Sequence, residues 1–355
     1  MIANLRQLSL DRLFPRRVLV RVFWTVAAFG LLWITMRSVA LAEVWARLSR
    51  LQAHQLLALV IVNALVITTF SARWWLLLYA QGYRIPYAKL TGYRLVTFAV
   101  SYFTPGPHFG GEPLQVYLVT ARHNVPVSAA VAAVLLDKLL EMAANFAFLA
   151  GAMLYILHRQ LLPVGGQQQQ LFGYAFVLLL LPGTLLAALS IGRHPLSSLV
   201  SAAGSAWRRF SGAPAQLPGQ DLQARLYWTL HASEEASTAL FRNHPRLVLL
   251  AAVASAASWL GIIGEFWLMT NVLGLELTLE KAILALIAAR IAILLPMPAA
   301  LGALEASQAL AMRTMGLPPA AGVSLSLLIR ARDVLVGLLG LCLGGRELWR
   351  RGRER

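Results

Sequence analysis

The sequence predicts an all-α polytopic membrane protein built from two inverted repeats with opposed re-entrant helical hairpins. Three observations predict it. The 355 residues are 58% hydrophobic and only 13% charged, against about 25% charged in a soluble domain. Apolar runs approaching the ~20 residues that cross a bilayer recur along the whole chain, and short alternating segments of the kind that build a membrane β-barrel do not appear. A constant offset of 193 residues also superposes rare landmarks of one half on the other. Trp74 falls on Trp267, Pro105 on Pro298, Glu112 on Glu305, Gln115 on Gln308, Pro126 on Pro319 and Gly151 on Gly344.

The elements follow in order. A basic N-terminus precedes an apolar run at 18–36 and lacks a small-residue cleavage site, so it reads as an uncleaved first span. A second span is expected at 55–80. The stretch 88–122 is apolar but broken by PGPHFGG. Further spans are expected at 127–157 and 171–191. Residues 192–245 are polar and Arg-rich and read as an interfacial or cytoplasmic linker with some amphipathic helix. A span at 246–273 follows, then an apolar stretch at 281–315 broken by PMPAALG, then a last span at 320–345. The expected organisation is an N-terminal segment with the first span (1–52), repeat 1 (53–157), a connecting span and basic linker (158–245) and repeat 2 (246–350).

Charge sets the expected topology. The net charge is +16 and the pI is about 11.1. These charges sit mainly at segment ends, as the positive-inside bias and contact with anionic lipid require. No nucleic-acid module is present. With both termini cytoplasmic, the Arg-rich linker falls inside only if each broken stretch is a hairpin that returns to the face it entered. The two repeats then have opposite orientation, and NVLGLELTLE, which has no Lys or Arg, lies outside. Arg37, Arg47 and Arg50 in the external 37–54 stretch count against this arrangement. Broken backbone at membrane depth is tolerated where it is buried in protein or lines a wet cavity. Inverted repeats with broken helices are a transporter pattern. The expected hairpin tips are Pro105, Gly110 and Gly111 in the first repeat and Pro296, Pro298 and Gly302 in the second.

Charges inside the apolar zone cost at least about 2.5–3.5 kcal/mol each at the bilayer centre, so they should be paired and face protein or a cavity. The candidates for substrate binding or transport are His108, Glu112, Asp137, Lys138 and Glu141, then Glu305, Arg330, Arg332 and Asp333. LLDKLLE puts Asp137 and Glu141 one turn apart on one helical face, with Lys138 about 100° away. Glu112 is an expected partner of Lys138. Arg330 and Asp333, three residues apart, share a face. The offset sets Asp137 against Arg330 and Glu112 against Glu305, so equivalent positions carry opposite charges in one case and carboxylates in the other. A cavity in which Arg330 and Arg332 hold an anionic group and carboxylates balance or gate it fits this set. Ion pairs that only lock helices fit it too. His108 reads as a proton relay or as a satisfied structural histidine. Glu112 and Glu305 double as helix-start residues, where a carboxylate is favoured. Arg73 is expected to snorkel at the end of its span, and the tryptophans near span ends to anchor at the interface. Cys342 is the single cysteine, which allows no internal disulfide. No P-loop, HExxH, GxSxG or Cys/His metal spacing occurs, so no catalytic residue, metal or cofactor is expected.

The blocks PG-x-x-x-GGE with LLDKLLE, and P-x-P-x-x-x-G-x-x-E with GLPPAAGVSLSLLIR, resemble the transmembrane, flippase-like region of lysylphosphatidylglycerol synthases. They also resemble stand-alone members of that superfamily that lack the synthase part. The resemblance covers about 15–350 and rests on Pro105, Gly110, Gly111, Glu112, Asp137 and Lys138, then Pro296, Pro298, Gly302, Glu305 and Arg330. It departs from the pattern at Gln115, where a basic residue is common, and at Ala299, Ala300 and Leu304. The resemblance implies a bacterial or archaeal inner membrane and movement of a polar lipid between leaflets, or association with lipid or glycan assembly. The expectation is therefore a lipid transporter with a central charged cavity, not an enzyme. Its partners would be membrane lipids with anionic or zwitterionic head groups, with lipid- or glycan-assembly enzymes as further partners. Two alternatives stay open at this point: an enzyme acting on a lipid-linked substrate, and a scaffold that uses the basic linker.

Overall fold

The computed structural model describes residues 30, 33, 41–103, 110–158, 168–211, 220–295 and 297–353. The expected first span at 18–36 lies outside these apart from residues 30 and 33. Among the described residues there are twelve α-helices, one 3-10 turn and no strand. They are α1 (Leu41–Leu48), α2 (Ala53–Ala80), α3 (Tyr87–Phe103), α4 (Glu112–His123), α5 (Val127–His158), α6 (Gln168–Ser190), α7 (Pro195–Ser211) and α8 (Gln220–Asn243). Then come α9 (Pro245–Val272), α10 (Leu279–Leu294), the 3-10 turn Pro298–Ala300, α11 (Ala303–Thr314) and α12 (Pro319–Arg353). α2 and α9 are long and apolar enough to cross a membrane.

Local chemistry accounts for the boundaries. α7, α9 and α12 open on proline, whose fixed φ suits the first helical position and whose missing N–H is not needed there. Thr278 caps α10 by accepting from the Lys281 N–H at 3.4 Å. Both expected broken stretches are helix–break–helix: α3 and α4 flank the first break, α10 and α11 the second. Two runs of four helices recur with matched lengths. α2 and α9 have 28 residues each, α3 and α10 have 17 and 16, α4 and α11 have 12 each, and α5 and α12 have 32 and 35. Their starts differ by 192, 192, 191 and 192 residues, close to the offset that aligns the sequence landmarks. Hydroxyls in the apolar helices are satisfied locally: Ser71 donates to the Ile67 carbonyl at 2.9 Å and Ser258 to that of Ala254 at 2.8 Å.

The chain divides into two compact units that do not follow chain order. The middle unit comprises Val60–Arg94 and Glu112–Gly264. Its core joins Trp74, Leu77 and Leu78 of α2 to Leu136 and Leu140 of α5, Leu189 of α6, Leu240 of α8 and Val248 of α9. Trp74 is fully buried, so it is a core residue and not an interface anchor, whereas its sequence counterpart Trp267 is 45% exposed. The described parts of residues 195–243 are the helices α7 and α8. α8 packs on α5, α6 and α7, and its Ser233, Glu234 and Ser237 are buried. Glu234 caps α7 by accepting from the Leu196 and Ser197 N–H groups at 2.6 and 3.2 Å and from the Ser197 hydroxyl at 2.6 Å.

The terminal unit comprises the described parts of Met1–Leu59, Leu95–Gly111 and Glu265–Arg355. Here α11 packs between α10 and α12, and α1 packs on α12 through Val44, Ala320 and Val323. Two glycines of α12 mark backbone contacts. A Cβ on Gly322 would overlap the Gln308 carbonyl of α11, and one on Gly340 would overlap the Leu95 carbonyl of α3. Close approach through small residues is how helices associate where both helices and solvent are apolar. Replacing Gly322 or Gly340 by leucine should therefore cost about 1–3 kcal/mol or more, as overpacking does. A lowered midpoint of thermal unfolding in detergent checks it, with Gly151→Leu, at a position open to a Cβ, as the control that stays near wild type.

Candidate functional site

Both units hold ion-pair networks on largely apolar helices. In the middle unit, Arg73 is the only Asp, Glu, Lys or Arg of α2, and it is fully buried. Its Nε donates to Asp137 Oδ1 at 2.6 Å, its Nη2 to Glu141 Oε2 at 3.3 Å and its Nη1 to the Ser255 hydroxyl of α9 at 2.9 Å. The expectation that Arg73 snorkels is overturned. Its guanidinium turns inward because two carboxylates one turn apart on α5 need a cation that their own face lacks. The second Asp137 oxygen, Oδ2, accepts from Arg94 Nη1 of α3 at 2.8 Å. The Phe70 ring lies beneath both guanidinium groups, 5.2 Å from that of Arg73 and 5.7 Å from that of Arg94.

A more open rim adjoins this buried triad. Lys138 Nζ lies 3.3 Å from Glu112 Oε1 and 3.6 Å from Glu141 Oε1. The side chains of Lys138, Glu112 and Glu141 are 26%, 29% and 33% exposed, against 1% for Arg73 and 4% for Asp137. Glu112 is the first residue of α4, where the helix dipole favours it. Just before it, Gly110 has φ +141°, and the Gly111 N–H donates to the Ser101 hydroxyl of α3 at 2.9 Å.

In the terminal unit the second break is held by one arginine. Arg330 Nε donates to Glu305 Oε1, and Nη2 donates to Glu305 Oε2 at 2.9 Å, a bidentate pair. Nη1 and Nη2 also donate to the carbonyls of Ala299 and Ala300 at 3.0 and 3.1 Å. Those alanines have φ of +47° and +51°, a strained region that persists only where the surroundings over-determine it. Glu305 Oε2 also accepts from the Gly302 N–H at 2.9 Å, so one carboxylate caps α11 and neutralises Arg330. Arg332 makes a separate pair of contacts, to Glu265 Oε2 of α9 at 2.9 Å and to Asp333 Oδ1 at 2.8 Å. Asp333 thus serves Arg332, although its spacing puts it on the face of Arg330.

The structure therefore joins Asp137 and Glu141 through Arg73, Lys138 with Glu112, Glu305 with Arg330, and Arg332 with Asp333. His108, Pro105 and Pro296 lie outside the described residues. Gly110, Gly111, Pro298 and Gly302 lie at the two helix breaks. Arg73, Arg94, Glu265 and Ser255 complete the networks without having been singled out as site residues. Two carboxylates with no cation on their own face were the available signal for Arg73 and Arg94. Among the described residues, no group of three His, Cys, Asp or Glu is disposed to hold a metal.

Apolar helices of spanning length and ionic networks within helical units define an integral membrane protein of the all-helical class. More particularly, the chain matches the model of the lysylphosphatidylglycerol synthase TM region over residues 18–340, and it belongs to that family. No curated protein and no solved structure matches it.

Removing one partner of a buried ion pair leaves an uncompensated charge, at about 3–5 kcal/mol. Asp137→Leu and Arg73→Met alone should each destabilise the protein by that order. The double variant Arg73→Met/Asp137→Leu should recover part of the loss, and a double-mutant cycle on thermal stability measures the coupling.

Proposed function

We propose that this protein moves a polar-headed lipid, or a lipid-linked carrier, between the leaflets of the cytoplasmic membrane, by transport and not by catalysis. The observation that carries the reading is the graded burial of the middle-unit network. Arg73 and Asp137 form a fixed base, and Lys138, Glu112 and Glu141 form a rim that a head group can reach. A zwitterionic head group can exchange with this rim, its phosphate replacing Glu112 at Lys138 and its amine taking up the freed carboxylate. An anionic head group uses Lys138 alone. Membership of a family named for a lipid synthase's membrane region supports a lipid substrate.

In this reading the four-helix runs α2–α5 and α9–α12 are repeats of opposite orientation, and the two breaks are the tips of re-entrant hairpins. Both termini are cytoplasmic. Movement of one repeat against the other alternates access to the head group. The sequence holds no P-loop, so the drive is a gradient or equilibration. Glu112 and Glu141, which reach the rim, are the carboxylates suited to carry protons.

Leaflet exchange of labelled lipids in reconstituted vesicles tests this. Wild type should exceed empty vesicles, and Lys138→Gln and Glu112→Gln should lower exchange tenfold or more while the protein stays monodisperse. Wild-type exchange no faster than empty vesicles, across anionic and zwitterionic head groups, would sink the proposal, and product formation would favour the enzyme. The inverted arrangement predicts that a cysteine placed in the 274–279 loop, in a Cys342→Ser background, reacts with impermeant reagent from outside. Labelling from the cytoplasm alone would overturn it.

A further inference from the structure

A second polar site lies in the middle unit, away from the Arg73 network. A groove of about 680 Å³ is formed where the C-terminal end of α2 and its following turn meet the end of α8 and the start of α9. Its lining includes Tyr79, Gln81, Tyr83, Arg84, Asn243 and His244 and, among the described residues, no carboxylate. Arg84, Asn243 and His244 are exposed.

Its location follows from the helices that form it. Among the described residues, α2 and α9 are long and apolar enough to cross the bilayer, and the groove sits where α2 ends at Ala80 and α9 begins at Pro245. The bilayer surface falls at such a point, and amphipathic tyrosines and basic side chains are the groups that suit it. Two more exposed cations, Arg242 and Arg246, flank His244, and the amino end of α9 adds partial positive charge. Leu247 of α9 lines the groove, and Leu250, three residues further on the same side of the helix, is 50% exposed. An acyl chain of a lipid seated in the groove would run past it.

We propose that this groove binds the head-group phosphate of an anionic phospholipid. Arg84 supplies the charge, His244 and Asn243 supply further hydrogen bonds, and an acyl chain lies against Leu250 of α9. Among the described residues the charged side chain that lines the groove is Arg84, a cation. The site is distinct from the transport rim at Lys138 and does not depend on transport.

Native mass spectrometry of the full-length protein in mild detergent, titrated with phosphatidylglycerol or phosphatidylcholine, tests the assignment. Wild type should retain phosphatidylglycerol in preference to phosphatidylcholine. Arg84→Ala should weaken retention about fivefold, the effect of one basic side chain at an anionic surface. Arg84→Lys should restore it, and Arg84→Ala/His244→Ala should abolish the preference. Monodisperse elution shows that each variant is folded. Soluble glycerol 3-phosphate should fail to displace the lipid, and displacement would assign the site to a free phosphate ester instead. Equal retention of the two lipids by wild type, or wild-type retention by folded Arg84→Ala, would overturn the proposal. Lys138→Gln separates the two readings: it should lose leaflet exchange and keep phosphatidylglycerol bound.

Discussion

The middle unit depends on Arg73, because no other Asp, Glu, Lys or Arg lies in α2 and its side chain is fully buried. A guanidinium in apolar surroundings is stable only with its counter-charges and hydrogen bonds in place. Asp137 and Glu141 supply the first, and Ser255 completes the second. One requirement thus ties α2, α5 and α9 together at fixed rotation, and Asp137 adds α3 through Arg94. Apolar packing between these helices is permissive, since leucine meets leucine in many registers. The ion network is not permissive, and it selects one.

The terminal unit meets the same requirement with the signs reversed. The offset that matches Asp137 with Arg330 places a carboxylate on α5 and a guanidinium on α12. On α5 the carboxylate collects arginines from two other helices. On α12 the arginine collects Glu305 and two carbonyls of the broken segment. Pairing is required at both positions, but the polarity is free to invert. The consequences differ. Glu305 is 1% exposed and closed into its cap, whereas Glu112 lies at a rim that solvent touches. That difference is why the proposed head-group contact is drawn at the first break, with Arg330 holding the second.

The basic stretch between the four-helix runs also has a structural role. Buried Glu234 fastens α7 to α8, and α8 lies against α5 and α6. At Arg84 and His244, polar groups also converge around a groove, which a charge count alone does not reveal.

Helix positions were legible in the sequence. Length, apolar composition and the Pro/Gly breaks placed α2 to α6 and α9 to α12 within a few residues, with α12 alone running further past its apolar core, because a helix in lipid must satisfy its own backbone and cannot hide a break. The pairing of Lys138 with Glu112 was also legible, since a cation off the carboxylate face needs a partner elsewhere. The fates of Arg73, Trp74 and Asp333 were not. Arg73 and Trp74 lie near the end of an apolar run, where snorkelling to the interface and burial against a neighbouring helix have the same sequence signature. Asp333 had two arginines within reach, and only the rotation of α12 decided between them. Sequence by itself determined which segments are helical and which charges must be neutralised, because those follow from local composition and from the cost of burying a charge. Tertiary structure alone decided which charge neutralises which, because that depends on helix rotation and on proximity between residues as many as 68 positions apart in the chain.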